Sequence, residues 1–521
     1  MKGAREIRIE ILLGFSILFL CLYTIIHPLI PSIDSVAGFL TYKGSLATGN
    51  FNYYAEVSSI DINKDDLWFV SWWSPGQWLF PAIFNYFFGL SLGAASIVVT
   101  VAGALSGMLG FYKLFRSFGF EKKISIASLF VIFASYTFFY SFVVYQGGEI
   151  LSFAIFPWFA LTVVNSRSPS FKILFWIFIL FLIGFIAKTT LLIYCVMVLI
   201  FKTITGIIKN KKQNKDSRNI VRQFLYLLPG VIASLFIYFS FLARGVTPSG
   251  TEYPGLSFPD VLIPVASPLL SNLSLQQVIT KVVNENLEYY NLSLCIVIAF
   301  LFIIFRSFIR SKDLLNEYKA FFFTLYVGVG AFFILIYFIN VPVDYSSRHF
   351  KLLGYVLIPG IITLLVNKVK QLNLNIFSVF TCLLGVLSFI YIKQGWIKDR
   401  FVSRQFFYRN FDNKELVDKL DVQAYKELMT RADGMTPKDD LIYVDANADV
   451  EMDLSHRVIT HRLVDGSIAA VYRGQGPQIL ACISKASYDL NNNKLKNLFP
   501  DYKEFKLVAE TDSFLFFTSV E

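Results

Sequence analysis

Charge is scarce in this sequence. Of 521 residues only 16% are Asp, Glu, Lys or Arg, while 55% are hydrophobic and 17% aromatic, a balance that excludes an ordinary soluble domain. Histidines number four and cysteines five. Cys21, Cys195, Cys295 and Cys382 sit inside apolar runs and Cys482 is alone in a polar tail, so neither a disulfide framework nor a metal cluster is expected. The sequence also lacks a Gly-rich phosphate loop joined to a strand-helix unit, which argues against nucleotide use. Internal repeats and low-complexity tracts are absent too. Finally, the apolar runs carry essentially no ionisable residue in their middles, which argues against an ion-coupled transporter or proton pump, whose coupling charge lies near the midplane.

Long apolar runs are plentiful. "ILLGFSILFLCLYTIIHPLI" from Ile11 and "AFFFTLYVGVGAFFILIYFI" from Ala320 each reach the roughly 20 residues that cross a bilayer core. The first has no small-residue cleavage site after it and reads as a retained span. Spans are expected around residues 20, 103, 133, 157, 179, 196, 233, 299, 330, 359 and 382. With the N-terminus inside, the cytoplasmic loops collect clusters such as Lys2, Arg5, Arg8 and Lys209, Lys211, Lys212, Lys215, Arg218, Arg222. The outside loops hold only Lys43, Lys64, Lys188, Arg244, Lys281, Arg348 and Lys351. This bias predicts N-terminus in and C-terminus out. The net charge of +10 is spread over these loops, so topology explains it and nucleic acid is not an expected partner.

The predicted fold is an α-helical polytopic membrane protein of about eleven transmembrane helices in the plasma (inner) membrane. Two long outer loops, 31–76 and 243–290, interrupt a membrane domain over 1–395, and 396–521 form a small extracytoplasmic α/β domain. That tail shows a helical pattern, "NKELVDKLDVQAYKELMTRADG", and short apolar runs, "LIYVD", "QILACIS" and "FKLVAETDSFLFF".

The ionisable groups concentrate at the outer rim: Asp34, Glu56, Asp61, Asp65 and Asp66 in the first loop, Glu149 after "VVYQGG", Lys188 after "FLIGFIA", and Arg244, Asp344, Arg348 and His349. In "IPSIDSVAGFLTYKGSLATGN" Val36, Phe39, Leu40 and Leu46 share one helical face, predicting a short helix with Ser32 as N-cap and Gly49 at its end. Asp34 then occupies the first turn, either as a cap or as an ionised general base toward a hydroxyl. In "FVSWWSPGQWLFPAIF" the Ser74-Pro75-Gly76 turn follows Trp72 and Trp73 and precedes Trp78. Belt anchoring and stacking on a sugar both fit these indoles, and the two are compatible. Lys188 and Arg348 either snorkel to headgroups or hold a phosphate whose charge grows as it departs.

The order and placement of "HPLIPSID", the long loop with Asp34, "WWSPGQWLFPAIFNYFFGLSLGAASIVVTVAGALSGMLGFYKLFRSFG" and "SSRHFKLLGYVLIPG" resemble the GT-C superfamily of polytopic glycosyltransferases. The nearest branch is that of bacterial protein mannosyltransferase-like and aminoarabinose transferase-like enzymes. The resemblance covers roughly residues 10–400 and makes 1–395 a GT-C-like membrane domain. It implies inverting transfer of a sugar from a polyprenyl-phosphate donor to an acceptor hydroxyl outside the cytoplasm, with membrane lipids as surroundings and a glycan, lipid or protein as acceptor. Asp34 and Glu149 match the family's acidic placements and are its catalytic candidates. Lys188, Arg348, His349 and Arg244 are the candidate phosphate ligands, and Trp72, Trp73 and Tyr145 the candidate substrate contacts. Ser35 follows Asp34 where relatives often carry a second acid, which argues against a metal site or a paired-acid mechanism. A divalent cation stays open, and no other cofactor is called for. The alternatives are a non-catalytic flippase or exporter of lipid-linked glycans, and a polysaccharide polymerase or ligase with a pyrophosphate-linked donor.

Overall fold

A computed structural model describes residues 9–26, 29–214, 217–245, 258–272, 279, 287–339, 347–369, 373–397, 400–402, 408–410, 420, 422–445, 451, 454–460, 476–490 and 494–520. Asp344, Lys281, His461 and much of the 243–290 loop lie outside them.

The chain runs α1 (Ile9–Ile26), β1 (Ile30–Pro31), α2 (Ile33–Thr48), β2 (Tyr53–Val57), β3 (Asp65–Phe69), α3 (Gly76–Phe88), α4 (Leu92–Ser117), α5 (Lys122–Phe133), α6 (Tyr136–Tyr140) and β4 (Val144–Tyr145). It continues through α7 (Gly147–Asn165), α8 (Phe171–Ala187), α9 (Leu191–Lys212), α10 (Ser217–Val221), α11 (Leu228–Ser240) and α12 (Phe258–Asn272). Further helices cover Leu287–Arg310, Asn316–Phe338, Lys351–Lys368 and Leu374–Ile397. Among the described residues seven helices are long and apolar enough to cross a membrane, and four shorter apolar helices accompany them. The molecule is a polytopic membrane protein with a small sheet domain at its C-terminal end.

Each expected span centre falls well inside a helix except that near residue 133, which is the last residue of its helix. There α5 is only 12 residues long and ends at Phe133, too short for the hydrocarbon thickness; the chain breaks at Ala134 and Ser135 before α6. The 243–290 segment, expected as a long outer loop, holds a helix of its own. This is α12, whose Ile263, Ala266, Leu269 and Leu270 are buried. Pro264 and Pro268 disguised this helix. Pro268 has no N–H to offer the Pro264 carbonyl four residues back, and the Ser267 hydroxyl donates to it instead at 2.7 Å.

In lipid the hydrophobic effect does not drive helices together, so close packing must. α4 packs closely against α7. Gly103 and Gly110 face Ile150 and Pro157, and a Cβ at Gly107 would strike the Phe153 ring. Small residues on α4 therefore admit bulky ones on α7.

The C-terminal domain carries a five-stranded sheet of order β10-β11-β9-β7-β8, with β7 (Leu441–Val444), β8 (Arg457–Ile459), β9 (Ile479–Ser484), β10 (Glu504–Glu510) and β11 (Phe514–Val520). Two short strands, β5 (Arg400–Val402) and β6 (Tyr408–Asn410), precede it. β7 is parallel to both neighbours, while β11 runs antiparallel to β9 and β10. β7 and β9 are buried along their whole length, which is why "LIYV" and "ILACIS" are continuously apolar rather than alternating. On one face the Val422–Ala432 helix covers Ile442, Val444 and Cys482. On the other, Leu441, Tyr443, Ile459 and Ile479 pack with Val57 and Ile62, which belong to the first long loop. Burying two such aliphatic side chains stabilises the docked arrangement by roughly 1.5–3 kcal/mol each.

Candidate functional site

α2 forms as its pattern predicts. Ser32 caps it by accepting the Ser35 N–H at 3.3 Å, and Gly49 closes it in the left-handed region at φ 72°, where glycine pays no Cβ penalty. Val36, Phe39 and Leu40 are buried, whereas Leu46 is exposed. The start of α2 is tied to β4. Ile30 and Pro31 pair in parallel with Val144 and Tyr145, the Ser32 N–H donates to the Tyr145 carbonyl at 3.1 Å, and the Ser35 hydroxyl donates to the same oxygen at 2.8 Å.

Pro81 extends this network. Lacking an N–H, it leaves the Gln77 carbonyl of α3 without its helical partner. The Tyr145 hydroxyl fills the vacancy at 2.7 Å, and the Gln77 amide donates to the Asp34 carbonyl at 2.8 Å. Tyr145 is fully buried, and burial pushes its phenol well above the usual range, so it stays a donor. The sequence reading made Tyr145 a substrate contact; the structure makes it a brace between α2, α3 and α7.

The Ser-Pro-Gly turn has a comparable task. Ser74 Oγ lies 2.8 Å from Thr189 Oγ1, and a Cβ on Gly76 would strike the Ile186 carbonyl. The rigid segment therefore seats the turn that presents Lys188. Trp78 is buried, donates its indole N–H to Asn52 Oδ1 at 3.2 Å and stacks on Tyr42 at 5.5 Å; it is a core residue and not a belt anchor. Trp72 and Trp73 lie against each other, ring centroids 5.3 Å apart. The Trp72 indole nitrogen is buried with no hydrogen-bond partner.

Glu149, in the first turn of α7, is the centre of an ion cluster. Lys188, at the end of α8, pairs with its Oε1. Lys351 Nζ lies 2.8 Å from Oε2 and also donates to the Glu149 carbonyl at 2.8 Å. Lys351 is almost wholly buried. Beside it, Arg348 reaches Asp34, with Nη2 3.6 Å from Oδ2, and both side chains keep part of their surface open to solvent. His349 receives the Tyr194 hydroxyl on its backbone carbonyl at 2.7 Å, and its ring lies on Phe333 with centroids 5.7 Å apart. Both His349 ring nitrogens are buried without a partner, an arrangement that costs roughly 1–3 kcal/mol per polar group.

Glu149, Lys188, Tyr194, Arg348, His349 and Lys351 line a recess of about 10 Å³, room for about one water. A larger cavity of about 210 Å³ lies between α1, α5, α6 and the Leu374–Ile397 helix, but Phe15, Phe19, Phe133, Phe139 and Phe389 line it and no ionisable group does. The ionisable groups gather at the smaller recess. Lys188, Lys351 and Arg348 outnumber Asp34 and Glu149 there, leaving an excess of positive charge that suits an anion.

Sequence reasoning missed Lys351. Its signal was present, since it stands three residues after Arg348 at the start of a helix and so shares a face with it. Arg244 is exposed at the end of a 3-10 turn, next to Gly245, which abuts Ser71; the recess is built without it. Among the described residues no group of three or more His, Cys, Asp or Glu is placed to hold a metal ion.

No family model and no curated protein matches the sequence. Among solved structures, the chain is similar to the crystal structure of ArnT from Cupriavidus metallidurans bound to undecaprenyl phosphate, at 8% identity and TM-score 0.55, over 98% of this chain and 97% of that one. The apo form of the same protein matches at 12% identity and TM-score 0.40, over 97% and 98%. The first of these likenesses gives the chain an ArnT-like fold.

Proposed function

We propose that this protein is a membrane glycosyltransferase that moves a sugar from a polyprenyl-phosphate donor to an acceptor hydroxyl. The reading rests on one observation above all: Asp34 and Arg348 meet at 3.6 Å beside the Glu149, Lys188 and Lys351 cluster. A partly exposed carboxylate next to a recess with surplus positive charge is what transfer from a phosphate leaving group requires. The positive-inside bias of the loops supports an extracytoplasmic position for this site and for the C-terminal domain.

In the proposed step the donor phosphate sits at the mouth of the recess, which itself has room for about one water, and the side chains of Arg348, Lys188 and Lys351 reach it there, each charge-assisted hydrogen bond supplying about 1.5–3 kcal/mol. The His349 ring offers one N–H to the same group. Asp34 takes the proton of the acceptor hydroxyl as that oxygen bonds to the anomeric carbon. The bond from that carbon to the phosphate oxygen breaks, its electron pair goes to the phosphate, and the configuration inverts. Glu149 keeps Lys188 and Lys351 in place rather than taking part as an acid, because both its oxygens face ammonium groups. Trp72 and Trp73, both half-buried, offer ring surface to the sugar.

Purified protein in lipid nanodiscs, given a polyprenyl phosphate carrying a labelled sugar and an extract of envelope acceptors, tests this. Label joined to acceptor, with release of polyprenyl phosphate, supports the reading. Donor moved across the bilayer with its sugar bond intact would make the protein a flippase instead, and transfer only from a pyrophosphate-linked donor would make it a polymerase or ligase.

A further inference from the structure

The first long loop belongs to two cores. Tyr54 and Phe69 of the β2–β3 hairpin pack with the membrane helices, while Val57 and Ile62 pack inside the C-terminal domain. Arg457 of β8 fastens the same hairpin: its Nε and Nη2 reach Asp65 Oδ1 at 2.9 and 2.7 Å, and Nη2 donates to the Lys64 carbonyl at 2.7 Å. α2 is seated against β2 so closely that a Cβ on Gly44 would strike the Tyr53 carbonyl. Ser45 Oγ accepts the Asn52 N–H at 2.9 Å.

One side chain of α2 goes further. Lys43 Nζ donates to the Glu451 carbonyl at 2.7 Å and to the Leu454 carbonyl, both in the C-terminal domain. Lys43 and Asp34 thus lie on one helix, capped at both ends. At 1.5 Å per residue they stand about 13 Å apart along its axis, and a helix this short moves as a rod. Whatever holds Lys43 therefore orients the first turn.

We propose that Lys43 is a positioning residue, through which the C-terminal domain sets the place of the Asp34 carboxylate beside Arg348. This rests on Asp34 being the base of the proposed transfer. Ammonium donation to two carbonyls joins the Gly44 and Ser45 hairpin contacts in holding the C-terminal half of α2, while Tyr145 and Gln77 hold its first turn, so the helix is braced at both ends and a shift at Lys43 is passed along it. The C-terminal domain is then a part of the catalytic geometry, though it contributes no side chain to the recess.

The test uses the full chain in nanodiscs, with Lys43→Met and Lys43→Arg compared to the parent protein. Lys43→Met should lower kcat by about tenfold to a hundredfold, the cost of displacing a reacting group by an ångström or so, while KM for the lipid-linked donor stays put. Amide exchange over residues 33–41 should accelerate at the same time. Lys43→Arg, which keeps two donors, should restore both. Unchanged exchange and unchanged kcat in Lys43→Met would overturn the proposal, as would a rise in KM at constant kcat. A parent protein that forms no product, yet in which Lys43→Met still accelerates exchange over 33–41, would overturn the transferase reading and leave the mechanical coupling standing.

Discussion

Glu149 and Lys351 hold each other twice, through the carboxylate at 2.8 Å and through the Glu149 carbonyl at 2.8 Å, although 202 positions separate them in the chain. With Lys188 on the other oxygen, a buried acid is surrounded by cations at the junction of α7, α8 and the Lys351–Lys368 helix. Such a triad is costly to dismantle, because removing the anion leaves two ammonium groups in a poor solvent for charge.

Glu149→Gln should therefore destabilise the protein by about 3–5 kcal/mol. Thermal unfolding in detergent checks this. Asp34→Asn, at a partly exposed pair, should cost no more than about 1 kcal/mol, so the two acids separate by stability before any activity is measured.

Asp34→Asn should instead slow transfer by about 100-fold to 10,000-fold, the usual contribution of a general base. Polyprenyl-phosphate binding, measured by equilibrium dialysis, should be unaffected. Full turnover in this variant would remove Asp34 from the mechanism.

Lys351→Met and Lys188→Met should each weaken binding of undecaprenyl phosphate by roughly 10-fold to 100-fold, the loss of one charge-assisted hydrogen bond. Titration of each purified variant with that lipid measures it, and parent-like affinity in both would show that the recess does not hold phosphate.

Gly76→Ala should cost about 1–3 kcal/mol, because the new methyl overlaps the Ile186 carbonyl and the backbone must move. Since that turn seats Lys188, donor binding should fall with it. The same substitution at Gly14, where nothing lies near a Cβ, serves as the control.

The docking of the C-terminal domain should weaken with rising pH. Burial pushes the Glu451 carboxyl up to about 8; Lys43 opposes this, while Glu56 and Asp65 add to it, and Arg457 partly neutralises Asp65. The docked form thus binds the Glu451 proton more tightly than a free carboxyl with its ordinary value of 4.5. Its contribution is complete below about pH 4.5 and is lost as pH rises through about 8. Exchange protection of the β2–β3 hairpin, corrected for intrinsic rates, should fall over that window in the parent and stay flat in Glu451→Gln.

Much of this was legible before any coordinates. Hydropathy places the helices, because a chain crossing lipid must satisfy its backbone within each span. Ser32, Asp34 and Gly49 spell out α2 locally, since capping is a property of neighbouring residues. The continuous apolar runs of β7 and β9 announce strands covered on both faces.

Other features had no local signature. Prolines hid α12, and the length of α5 was blurred by apolar residues on both sides of its break. Trp78 looked like a membrane anchor because hydropathy cannot distinguish lipid from a protein interior of equal polarity. Lys351 looked like one more loop cation until Glu149 was found opposite it.

By itself the sequence determined the class of molecule, the course of its helices and the kinds of ionisable group at their ends, because these depend on neighbours along the chain. Only the tertiary structure decided that Asp34 meets Arg348, that Glu149 takes two lysines, and that Lys43 reaches the C-terminal domain. Those pairings join distant segments, and charge and periodicity carry no record of which distant partner a side chain will meet.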